Sequence, residues 1–182
     1  MNFNVKELGM GVYLLEPIYK EDNRGISFVT FSTPDFRQLG LNFSISYDLH
    51  YIYKSKNILR GIHFQNEPLT QVKMIRCTKG KILDYVIDLR KKSSTYLKWI
   101  CVELNPENKY QLIIPKGFGQ AFVTLEDDTE IVYKTDQKYE SILEKTIRWN
   151  DPTINIKWPI EDPILSEKDA NAPLLNDCEC NF

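Results

Sequence analysis

The chain holds 182 residues, of which 42% are hydrophobic and 12% aromatic, enough to bury one substantial core but short for two. A net charge of −2 at pH 7 supplies no electrostatic footprint for nucleic acid, and no run approaches the ~20 apolar residues that cross a bilayer. One domain over residues 1–182, resident in the cytoplasm and without nucleic-acid or membrane partners, is the expectation; the opening MNFNVKELGM lacks the basic end and apolar stretch of a leader.

Strand signals dominate from the start. GVYLLEPIY and GISFVTF are apolar-rich runs, and TPDFRQLGL follows with a Thr-Pro start that suits one or two helical turns. LRGIHFQ (59–65) and QVKMIRC (71–77) read as strands. KILDYVIDL (81–89) alternates Leu83, Tyr85, Ile87 and Leu89 against Ile82, Asp84, Val86 and Asp88, a period of two with one wholly apolar face. KWICVEL, QLIIP, QAFVTL and EIVYKT complete the series, separated by Gly, Pro, Asn and Asp breakers as in sandwiches and barrels. SEKDANAPLL can begin another short helix. The chain therefore reads as mostly β with a few short helices, without repeats, low-complexity tracts or linkers.

Four cysteines occur, and only Cys178 and Cys180 are close together. Their Cys-Glu-Cys spacing differs from the two-residue gap of zinc knuckles and redox sites, so they read as plain reduced thiols. Only His50 and His63 are present, too few for a histidine-rich metal site. GMG and GFG run into strand text without a third glycine, so no dinucleotide fingerprint exists. Neither a metal nor an organic cofactor is expected.

Strand parity puts Leu59, Gly61, His63 and Gln65 on one side of LRGIHFQ, and Gln71, Lys73 and Ile75 on one side of the next strand. If both sets face a sandwich interior, His63, Gln65 and Lys73 form a polar island that is costly to bury unless hydrogen-bonded or facing a pocket. Taken alone, His63 fits either a core histidine satisfied by a backbone carbonyl or a group beside a cavity. Tyr133 fits a core tyrosine, Lys73 a snorkelling strand lysine, and Asp169 a solvated acid near a helix start.

The ordered blocks LRGIHFQ, QVKMIRCTKGKILDYVIDLRKKSSTYLKW, IPKGFGQAF, YKTDQKYESILEKTIRWNDPTINIKWP and LSEKDANAPLL are similar in order and spacing to the dTDP-4-dehydrorhamnose 3,5-epimerase family. The likeness runs from about residue 57 to 175, with a fainter echo at DNRG near the start. It implies a cupin-type jelly-roll β-sandwich whose segment from about 160 to 182 packs short helical turns near the site. It also implies a homodimer exchanging strands at the N-terminal region, and a nucleotide-linked 4-keto sugar epimerised through an enolate without metal or nicotinamide. By position, His63 resembles the base, Asp169 the carboxylate that orients it, Tyr133 the acid on the opposite face, and Lys73 the cation beside the enolate oxygen. Arg60 resembles a diphosphate contact. Parity turns it away from His63, so a bulge or kink at Gly61 is predicted if both reach one pocket.

Two departures stand out. Gln120 occupies the place of a family histidine in GFGQAF, where it can donate a hydrogen bond but cannot carry a proton charge. The early Arg-Gly-x-Phe-x-Glu pattern appears as Arg24-Gly25-Ile26-Ser27-Phe28-Val29, out of register for residues that resemble a neighbouring subunit's contribution to the nucleotide. His50, within the longer stretch between Asn42 and Arg60, reads as a surface or loop residue. The candidate substrate-binding set is thus Arg60, Arg24, Gln120 and Gln65. Alternatives left open are a C3-only epimerase of a GDP- or CDP-linked 4-keto sugar and a non-catalytic sugar-nucleotide-binding module.

Overall fold

The computed structural model describes residues 1–182. Its strands are β1 (Phe3–Glu7), β2 (Tyr13–Pro17), β3 (Tyr19–Asp22), β4 (Gly25–Phe28), β5 (Tyr47–Tyr53), β6 (Leu59–Gln65), β7 (Lys73–Lys79), β8 (Ile82–Asp88), β9 (Trp99–Leu104), β10 (Gln111–Ile114), β11 (Phe118–Thr124), β12 (Thr129–Thr135) and β13 (Glu144–Ile147). Two short helices, α1 (Thr33–Gln38) and α2 (Glu167–Ala170), and one turn of 3-10 helix at Leu175–Asp177 complete it. No helix is long and apolar enough to cross a membrane. The mostly-β expectation holds, as do both short helices.

Two antiparallel sheets form the sandwich. One runs β1-β2-β10-β7-β12-β5 and the other β13-β6-β11-β8-β9. Side chains of both meet in a core of Val12, Ile75, Cys77, Ile82, Val86, Leu112, Phe118, Phe122, Ile131 and others. The wholly apolar face of β8 does not point there. Tyr85, Ile87 and Leu89 pack outward, under Ile154, Ile156, Leu175 and Cys180 of the C-terminal segment, while the mixed face of Ile82, Asp84 and Val86 is turned into the sandwich. The six-stranded sheet has its own outer cover: Phe36 of α1 closes over Phe3, Leu15, Met74 and Ile113. Ser32 caps α1, its Oγ accepting from the Asp35 N–H at 3.3 Å.

The C-terminal segment has no strand of its own; besides its apolar packing and one parallel bridge of Ile164 to Ile58, polar contacts tie it down. Asp151, in the RWNDP block, is buried and accepts the Leu175 N–H at 2.8 Å through Oδ2 and those of Thr153 and Ile154 through Oδ1. Arg148 Nε donates to the Ala172 carbonyl at 2.8 Å, and Asn66 accepts from the Asn181 N–H at 3.2 Å.

Four strands lie wholly or almost wholly outside the strand runs singled out in the sequence: β1, β3, β5 and β13. β5 includes His50, which is exposed and 3.1 Å from Glu130 on β12. It is a surface residue of a strand, not of a loop. The hairpin β3–β4 pairs only with itself and leaves Ile18, Tyr19 and Ile26 about half exposed. Its tip holds Arg24, 84% exposed and paired to Asp22 at 2.7 Å.

Candidate active site

β6 departs from a regular strand, and the departure builds the site. Against β11 its register runs from His63↔Gln120 to Arg60↔Phe122, a step of three residues opposite two. The extra residue is a β-bulge at Gly61 and Ile62, and it returns Arg60 to the side of His63. Both then line one cavity of about 320 Å³, together with Lys73, Tyr133, Tyr51, Tyr139 and Glu144. The bulge predicted from parity is present.

His63 is buried and held from both ring nitrogens. Nε2 lies 2.6 Å from Asp169 Oδ1, and Nδ1 lies 3.0 Å from Glu144 Oε1. Asp169 arrives on α2, whose N-cap Ser166 accepts its N–H at 3.1 Å and donates its own hydroxyl to Oδ2 at 2.8 Å. The Gly61 N–H is a further partner. Burial alone would raise the Asp169 carboxyl, yet the His63 ring and these donors hold it below the usual range. Gly61 makes this approach possible, because a β-carbon there would come within 2.8 Å of Asp169 Oδ1.

Glu144 starts β13, directly opposite Gln65 of β6. Its second oxygen accepts from the Tyr139 hydroxyl at 2.8 Å and is ion-paired with Lys168. Burial again acts upward, but hydrogen bonds from His63, Lys168 and Tyr139 outweigh it and keep the carboxyl ionised. Sequence reasoning missed this residue. It sits in a four-residue strand too short to show a period, and its role is visible only from the β6–β13 pairing.

Lys73 is buried at the start of β7 and donates from Nζ to the His63 carbonyl at 3.1 Å. Burial, reinforced by the nearby Arg60 guanidinium, brings its ammonium down to about 7. Burial pushes the neighbouring Asp84 up to about 8, against the hydrogen bond from Gln120 and the charges of Lys73 and Arg60. Tyr133 is buried, its hydroxyl has no partner, and burial raises it well above the ordinary phenol range. Arg60 lies over two rings, 5.3 Å from the Tyr51 centroid and 5.8 Å from that of Tyr133, an arrangement suited to guanidinium.

The other candidates take different positions. Gln120 does not line the cavity; its Nε2 donates to Asp84 Oδ2 at 2.5 Å. Gln65 does line it, but its amide joins three backbone groups, the carbonyls of Leu69 and Lys138 and the N–H of Glu140. Those bonds fasten the two loops at the cavity mouth. Arg24, on its hairpin, is absent from the cavity wall of its own chain.

The arrangement offers a paired imidazole, a buried amine and an unpartnered phenol around one cavity, a set suited to moving protons on and off carbon beside a carbonyl. A family model described as dTDP-4-dehydrorhamnose 3,5-epimerase matches residues 9–177. The dTDP-4-dehydrorhamnose 3,5-epimerase of Salmonella typhimurium is 43% identical over 167 residues, 91% of this chain and 91% of that protein. Among solved structures, that of the Bacillus anthracis dTDP-4-dehydrorhamnose 3,5-epimerase with TDP and PPi bound has a TM-score of 0.93 at 36% identity, covering 95% of this chain and 99% of that one. A Legionella pneumophila dTDP-6-deoxy-D-glucose-3,5-epimerase in complex with dTDP-4-keto-L-rhamnose has a TM-score of 0.91 at 32% identity, covering 96% and 94%.

Proposed function

This chain belongs to the dTDP-4-dehydrorhamnose 3,5-epimerase family, and on that premise we propose that it inverts C3 and C5 of a nucleotide-linked 4-keto sugar with His63 as the base. The C4 ketone acidifies the hydrogens on both flanking carbons, because the carbanion left behind delocalises into an enolate. His63 takes the proton from one face. Asp169 orients the ring and stabilises the imidazolium, the division of labour of other His-Asp pairs. Lys73 faces the enolate oxygen, where a preorganised charge in a water-poor site is usually the largest catalytic contribution. Tyr133 returns a proton from the opposite face, and Arg60 meets the diphosphate.

The observation that carries this reading is the His63–Asp169 pair at 2.6 Å on the wall of a cavity that also holds Lys73 and the unpartnered Tyr133 hydroxyl. A core histidine satisfied by a backbone carbonyl would need none of these. The test is incubation of a dTDP-linked 4-keto-6-deoxy sugar with the protein in deuterated water. Label is expected at both C3 and C5, and His63→Asn should abolish it while binding persists. Label at C3 alone would instead favour a mono-epimerase. Binding without label would reduce the protein to a sugar-nucleotide-binding module.

A homodimer belongs to the same proposal. The β3–β4 hairpin, with its half-exposed Ile18, Tyr19 and Ile26 and its Arg24, suits a second copy better than water. Exchange of this N-terminal region would bring Arg24 to the partner's nucleotide.

A further inference from the structure

We infer that Glu144 is the proton outlet of the site, the group that receives the abstracted proton from His63 and releases it to solvent. The inference rests on His63 being the base. If it is, each inversion leaves one extra proton on the imidazole and removes one from Tyr133, so the ring must be emptied before it can act again.

The two ring nitrogens differ in where they lead. Nε2 faces Asp169, whose Oδ2 is closed off by the Ser166 hydroxyl and which is itself only 4% exposed. That side is a dead end for protons. Nδ1 faces Glu144 across 3.0 Å, and Glu144 lines the cavity whereas Asp169 does not. The far oxygen of Glu144 reaches the surface. Its partners there are the hydroxyl of Tyr139, a residue 60% exposed, and the ammonium of Lys168, whose side chain is 50% exposed. Lys73, the other nearby proton carrier, touches the backbone carbonyl of His63 and not its ring.

In the first step the carbon–hydrogen bond breaks, its electron pair enters the enolate, and a new N–H bond forms at Nδ1. Glu144 stands off toward Tyr139 and Lys168 while the sugar occupies the position beside the ring. In the second step the N–H bond breaks as Glu144 Oε1 takes the proton, and the carboxylic acid surrenders it to water or buffer at the rim. The strong surface partners keep Glu144 anionic between events, so a proton stays on it only in transit.

The test compares Glu144→Gln, which keeps shape and hydrogen bonding but carries no proton, with Glu144→Ala, which leaves room for a small acid in its place. Glu144→Gln should lower kcat about a hundredfold, in the range of a lost acid–base group, with KM little changed. Glu144→Ala should recover turnover in proportion to added formate or acetate, while the unaltered protein ignores both. A Glu144→Gln protein at full rate, or a slow Glu144→Ala protein indifferent to added carboxylate, would overturn the outlet. Deuterium exchange that survives in His63→Asn would instead overturn the base and the outlet with it. Tyr139→Phe, on an exposed ring, guards against misfolding: it should cost severalfold in kcat, and no loss would count against the route.

Discussion

Gly61 and Asp169 stand so close that a single methyl on the glycine would meet the carboxylate Oδ1 at 2.8 Å. Gly61→Ala must therefore push α2 outward or turn Asp169 away from His63. Misplacement of a catalytic group by about an ångström can cost on the order of a hundredfold in rate. The expected outcome is a loss of that size in kcat with circular dichroism unchanged, since the strand φ at this position is ordinary and only the contact is at stake.

Tyr133→Phe separates activity from stability. The hydroxyl it removes is buried without a partner, so its deletion takes no hydrogen bond from the free protein and relieves an unsatisfied group. Turnover should fall by about a hundredfold or more, while the thermal midpoint stays the same or rises slightly. A lowered midpoint would mean that the hydroxyl has a structural partner.

The charge on Lys73 sets an alkaline limit. With its ammonium brought down to about 7 by burial, the cation proposed to stabilise the enolate is present below neutrality and lost as pH rises through that value. In the free enzyme kcat/KM should decline correspondingly on its alkaline side. Lys73→Arg, whose guanidinium stays charged across this range, should remove the limb, and a limb that persists would remove Lys73 from the account.

Gln120 tests a buried bond rather than a substrate contact. Gln120→Ala leaves Asp84, already lacking a partner at Oδ1, with neither oxygen satisfied, which should cost about 1–3 kcal/mol of stability. KM should barely change because the residue is not on the cavity wall. Denaturant titration and steady-state kinetics on one preparation distinguish the two effects.

Arg24 lends itself to complementation between chains. In a dimer that exchanges the hairpin, Arg24→Ala and His63→Asn chains mixed by refolding form hybrids with one site carrying both lesions and one carrying neither. Mixing should restore kcat/KM at low substrate. Activity no better than the average of the parents would argue that Arg24 does not serve the neighbouring site.

Much of this architecture is legible in the residues because half-buried strands advertise themselves by alternation, as β8 does. The bulge at Gly61 also follows from sequence, once Arg60 and His63 are required to reach one cavity. What alternation cannot tell is which face meets the other sheet. The wholly apolar side of β8 lies beneath the C-terminal segment, and the side bearing Asp84 is turned inward, since a polar site needs polar groups in the interior. Glu144 is equally invisible, as its meaning comes from Gln65 lying opposite in β13 and β6. Gln65 could be identified as an interior polar group by parity and Gln120 only as a substrate contact by resemblance, because their actual partners belong to distant loops and another strand.

The terminal stretch that delivers Asp169 is also the roof over Tyr85, Ile87 and Leu89; it is latched by Asp151, Arg148 and Asn66 and meets a sheet only at the single bridge of Ile164 to Ile58 beside β6. Such a latch can open without the sandwich melting. Detachment would silence the enzyme and bare a strip of hydrocarbon in the same event, so a damaged copy would declare itself to chaperones and proteases while its two sheets were still joined.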